Sequence, residues 1–113
     1  KDSIFTAGDH RNFNRNGEMF DKGETFSGID YETGLAAVEE LKKIFPNQNL
    51  APIALKWILM FDEVSTVIPG ASNPSQAKSN LDALTISNLT SDQLSKVKSI
   101  YEKYIKKSVH HLW

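Results

Sequence analysis

Apolar positions along the chain fall into four stretches with helical spacing and one short β-branched run. From Thr33 to Phe45, Leu35, Val38, Leu41 and Phe45 recur every three or four residues, with Glu39, Glu40, Lys42 and Lys43 on the other side. Asp30 or Tyr31 marks the entry, Glu32 places negative charge at the positive end of the helix dipole, and Pro46 ends the pattern. A second helix is predicted over Ala51 to Phe61, capped by Asn49, with Pro52 tolerated in the first turn. Its Ile53, Ala54, Leu55, Trp57, Ile58, Leu59 and Phe61 make it apolar almost all round, which predicts burial on several sides. After a turn at Asp62-Glu63, Val64 to Ile68 reads as a brief strand bounded by Pro69-Gly70.

The third helix opens with Asn73 as cap, Pro74 as first helical residue and Gln76 where a capping box places it, and runs to about Leu84. The fourth opens with Thr90 and Gln93 and runs to about Lys107, with Leu94, Val97, Ile100, Tyr101, Tyr104 and Ile105 as its apolar face. Residues 1–30 keep no period. They are rich in Asn, Asp, Gly and Arg, with Phe5, Phe13, Phe20 and Phe26 spaced through them, and are expected to form an irregular segment pinned by aromatic anchors. The organisation expected is therefore an irregular segment over 1–30 and a helical part over 31–113: mainly α, with one short β-strand.

Composition narrows the function classes. The 113 residues are 40% hydrophobic and 24% charged, with net charge −1. This is an ordinary soluble balance without the basic stripe of a nucleic-acid binder. The longest apolar stretch, Ile53 to Phe61, is interrupted by Lys56 and is too short to span a bilayer. No cysteine is present, which excludes disulfides and thiolate metal sites. A first residue Lys1, with no signal-peptide layout, suggests a cut chain, a proteolytic product or a chain whose first part is missing, and a cytoplasmic origin.

The chemistry concentrates where the β-branched run hands over to Pro69-Gly70-Ala71-Ser72 and the helix opened by Asn73-Pro74. Glycine admits close approach to the backbone, and a helix start offers unpaired N–H groups at a positive dipole end, so the unit suits an anion. Gln76 and Asn80, four apart, project from one face. On these grounds alone a well-capped connection that binds nothing remains an equal reading.

The chain also resembles a family. Ala54-Leu55-Lys56-Trp57, then Val67-Ile68-Pro69-Gly70-Ala71-Ser72-Asn73, with Gln76 followed by Asn80, is similar to the C-terminal signature of the aldo-keto reductases. Asp9-His10-Arg11, Phe13-Asn14-Arg15 and Gly23-Glu24-Thr25-Phe26 resemble a long loop of a bacterial branch. The resemblance implies a (β/α)₈ barrel, which needs about 250 residues, so this chain is expected to be a C-terminal piece too short to close one. It would supply the last barrel strand, 64–68, with its flanking helices, and the adenosine side of an NADP(H) site through Gly70, Ala71, Ser72, Gln76 and Asn80.

Two departures bear on the cofactor. Many members of the family carry Lys directly after the Pro and Arg in the helix, gripping the 2′-phosphate; here those positions are Gly70 and Gln76. The arrangement looks more like the aryl-alcohol and potassium-channel β-subunit branch. A lost charge-assisted hydrogen bond could cost about tenfold in preference for NADP over NAD. Lys78 either compensates or is a solvated helix residue. NADP is expected, with NAD the lesser alternative. The family's catalytic Asp, Tyr, Lys and His fall upstream of Lys1, so the isolated chain is expected to hold no active site, and the aldehyde or ketone substrate belongs to the whole protein. Tyr31, Tyr101 and Tyr104 read as packing residues.

Several other residues invite a function that their context does not support. Adjacent His110 and His111 lack partners for a metal set. His10 reads as part of a loop hydrogen-bond knot, Thr90 of Asn88-Leu89-Thr90 as a helix cap rather than part of a glycosylation sequon, and Met19, Met60 and Trp57 as packing residues. Two rival functions are a non-catalytic NADP-binding regulatory subunit and an independent helical interaction module. A lone strand with two open edges further predicts self-association of the isolated chain.

Overall fold

A computed structural model describes residues 28–112. The irregular segment expected over 1–30, with Phe5, His10, Phe13, Met19, Phe20 and Phe26, lies outside these residues except for its last three. The described chain is helical: α1 (Tyr31–Ile44), α2 (Leu50–Leu59), α3 (Pro74–Leu81), a 3₁₀ turn (Asp82–Leu84), α4 (Ser91–Ile100), a π turn (Tyr101–Ile105), α5 (Lys106–Val109) and a closing 3₁₀ turn (His110–Leu112). No helix among the described residues is long and apolar enough to cross a membrane.

The helix starts follow the capping chemistry. Asp30 accepts from the N–H of Thr33 at 2.9 Å and from its hydroxyl at 3.0 Å, opening α1. Asn49 Oδ1 accepts from the N–H of Ala51 at 3.1 Å at the head of α2. At α4 the capping box is complete: the Thr90 N–H donates to Gln93 Oε1 (2.9 Å) and the Gln93 N–H to Thr90 Oγ1 (3.2 Å).

The short strand is a correction. Residues 64–68 make no sheet, and no strand exists among the described residues. The reason is physical: a strand is defined by a ladder to a neighbour, and no other segment here offers one. β-Branched residues are necessary for the pattern but do not supply the partner. Ile68 is left 94% exposed.

The chain divides into two compact units, residues 41–97 and residues 1–40 with 98–113. In the first, Phe45, Ile53 and Leu89 form a buried cluster, with Leu50, Trp57, Met60, Ile86, Leu94 and Val97 packed against it. Trp57 meets Phe61 edge to face at 5.0 Å, and the Leu89 N–H donates to Met60 Sδ at 3.3 Å. Burial of α2 is less complete than its all-round apolar pattern predicts. Pro52 and Ile53 are buried, Leu55 to Met60 are half-buried, and Phe61 is 45% exposed.

In the other unit Tyr31, Ala37 and Ile100 are buried. Glu40 Oε1 receives the Tyr104 hydroxyl at 2.6 Å and Lys103 Nζ at 2.8 Å, and Lys103 Nζ lies 4.5 Å from the Tyr104 ring centre. The Glu40 carboxylate, then the Tyr104 hydroxyl, hold the Lys103 ammonium up to about 12. The pair is solvent-accessible, so its role is orientation of the C-terminal helix more than stability. A π turn, in which the Lys106 N–H reaches Tyr101 O, interrupts that helix. Gly28, at φ +80°, is glycine for two reasons: a left-handed backbone, and Val109 Cγ1 only 3.1 Å from where a Cβ would stand.

Two predictions follow from this architecture. Phe45→Ala, which empties a buried site in the 41–97 unit, should cost about 3–5 kcal/mol, read from denaturant unfolding followed by tryptophan fluorescence. Asp30, held below its ordinary 3.8 chiefly by the Thr33 N–H and then its hydroxyl, contributes stability that is full above that value and lost as pH falls through its lowered pKa. The Thr33 amide resonance should titrate with a midpoint below 3.8, and the transition should vanish in Asp30→Asn. A midpoint at or above 3.8 would refute the cap.

Candidate functional site

The segment from Pro69 to Asn80 owes its shape to side chains that turn back on it. Asn73 has an extended backbone and its Oδ1 accepts from the Gln76 N–H at 2.9 Å, so α3 starts at Pro74, whose missing N–H costs nothing there. The Ala77 N–H reaches the Asn73 carbonyl at 3.2 Å.

The Gln76 side chain departs from a standard capping box. Its Oε1 does not return to the N–H of the cap residue Asn73. It accepts instead from the N–H and the hydroxyl of Ser72, at 2.7 and 2.8 Å. One turn later, Asn80 Nδ2 donates to the Gly70 carbonyl at 3.2 Å. The two carboxamides expected to share a face do so, and both brace the turn between Gly70 and Ser72. That much is the behaviour of a well-made connection.

Gly70 is not explained by the connection. It has no positive φ, and a Cβ built on it would meet nothing within 4 Å. Among the described residues, neither backbone conformation nor packing demands glycine at this position. Gly70, Ala71, Ser72 and Gln76 are exposed and Asn80 is half-buried, so all five carried-over residues border one open surface of the 41–97 unit. Gln76 Nε2 and Asn80 Oδ1 keep hydrogen-bonding capacity that no other described residue uses. Lys78 is exposed and makes no ion pair among the described residues.

Elsewhere, among the described residues, Trp57 and Met60 pack against the buried cluster. Tyr101 and His110 share a hydrogen bond of 2.8 Å between the hydroxyl and Nδ1, and no group of three metal-ligating side chains exists among the described residues. Thr90 is engaged as a cap. One residue near the site carries no signal in a pattern search: Ser79, whose hydroxyl accepts from Asn49 Nδ2 at 3.3 Å across the gap from α2 to α3. Only the folded chain brings those two positions, thirty apart, within reach of one another.

Comparison with known proteins agrees with the family that the sequence resembles. No curated protein and no solved structure gives a match. The Aldo/keto reductase family model matches residues 2–102. A helical arrangement without strands among the described residues is compatible with a piece of such a barrel. With most of its length matched, the chain belongs to the aldo/keto reductase family, oxidoreductases that bind NAD(P)H and act on aldehydes or ketones.

Proposed function

We propose that this chain supplies the adenosine side of the NADP(H) site of an aldo-keto reductase of the aryl-alcohol type, through Gly70, Ala71, Ser72, Gln76 and Asn80. The observation that carries the reading is the glycine that the fold itself does not need. At Gly70 the backbone stands open beside a turn that is already rigid, which is what close approach of a ligand requires. Around it the donor set is neutral and amide-rich: Gln76 Nε2 and the head of α3 offer hydrogen bonds at a positive dipole end, while the Ser72 hydroxyl, its proton given to Gln76, can only accept. Asn80 Oδ1 adds an acceptor suited to an adenine amino group.

The residues present fit a nucleotide phosphate better than a bare connection would, because the bracing bonds consume only one end of each carboxamide. The turn is therefore ordered before a ligand arrives, and binding spends little on freezing it. The reduced dinucleotide, when bound, supplies the hydride for the carbonyl substrate. The residues named here hold and orient its far end. With Gly70 and Gln76 in place of the cations common in the family, preference for the 2′-phosphate rests on neutral donors and on Lys78, which has no competing ion pair among the described residues.

Titration of the intact protein with NADPH, read by quenching of protein fluorescence, tests this. The double substitution Gln76→Ala with Asn80→Ala should weaken binding about tenfold to a hundredfold, since each removes about one hydrogen bond. Unchanged affinity would remove the site. Gly70→Ala separates function from fold. With nothing within 4 Å of the new Cβ and no positive φ, thermal stability should hold or rise slightly while NADPH affinity falls. Equal affinity in Gly70→Ala would show that no ligand approaches there.

A further inference from the structure

The helix that carries Gln76 and Asn80 is unusual in its anchoring. No residue of α3 is buried, and Leu81, its last, is 64% exposed. The fully buried apolar residue of the segment comes only after the helix has ended: Ala83, 2% exposed, in the following 3₁₀ turn. The end of α3 that faces the turn is held by polar side chains. Gln76 and Asn80 tie it to Ser72 and Gly70, but those bonds join α3 to its own preceding turn and make no link to α2.

One side-chain bond ties α3 to a different helix among the described residues: Asn49 Nδ2 to Ser79 Oγ, 3.3 Å. Asn49 is itself well fixed. Its Oδ1 caps α2 through the Ala51 N–H, and α2 is seated on the buried cluster through Ile53 and Trp57. Ser79 neighbours Asn80, whose amide holds the Gly70 carbonyl. The route from the core to the turn therefore runs from Ile53 through the first turn of α2 to its cap Asn49, by hydrogen bond to Ser79, by covalent link to Asn80 and by hydrogen bond to Gly70.

We infer that Asn49 and Ser79 are positioning residues: their hydrogen bond fixes the pose of α3 against α2 and so the placement of the turn from Gly70 to Asn73. The inference rests on the reading of that turn as a cofactor site for its functional consequence, but not for its structural one. Asn49 thus does two jobs with the two ends of one carboxamide, which no aliphatic or purely accepting side chain could combine.

Ser79→Ala is the clean test, since it removes the bond without touching either helix cap. Exchange of the Ser72 amide hydrogen in the intact protein should quicken about fivefold, the effect of one lost neutral hydrogen bond, with an unchanged melting temperature. NADPH affinity should weaken by a similar factor, and Ser79→Thr, which keeps the hydroxyl, should restore both. Unchanged Ser72 exchange in Ser79→Ala overturns the inference. Faster exchange in a protein whose unsubstituted form binds no NADPH upholds the positioning role and instead sinks the cofactor reading.

Discussion

Phe45, Ile53 and Leu89 must leave water together for the 41–97 unit to exist. They come from just past the end of α1, the first turn of α2 and the loop before α4, so their contact closes one short loop and one long one at once. The partly buried apolar side chains of that unit are seated on this cluster. Trp57, Met60, Leu94 and Val97 pack around it, and the cap of α2 is held where it can reach α3. At this size the buried cluster is small, and the surrounding helices retain apolar surface: Phe61, Ile68, Leu81 and Leu84 are all exposed. A short chain buries a smaller fraction of its surface, so such a remainder is expected.

The site is assembled under a different rule from the core. Its geometry comes from hydrogen bonds between exposed amides and hydroxyls, each worth little in water, acting together over a few residues. Ser72 offers two donors to one Gln76 oxygen, and Asn80 holds the carbonyl of Gly70. Such a turn is ordered without being filled.

Electrostatics has an organising role in the other unit. Glu40 gathers a lysine and a tyrosine that are adjacent in sequence, Lys103 and Tyr104, onto a single oxygen. In a regular helix neighbours diverge by about 100°, and the wider π turn is the local adjustment that accompanies this convergence.

Local chemistry in the sequence was enough to determine where helices begin. Asp30, Asn49, Asn73 and Thr90 each cap as their residue types dictate, because a cap needs only neighbours two or three residues away. The family signature in Val67 to Asn80 was legible for the same reason, as was the shared face of Gln76 and Asn80. Three things required the folded chain. Whether residues 64–68 form a strand depends on a partner ladder, which no local pattern contains. That Gln76 turns to Ser72 and not to Asn73 depends on the path of the turn, in which two donors outcompete one. And the meeting of Asn49 with Ser79 depends on the path of the thirty residues between them, which neither position encodes locally.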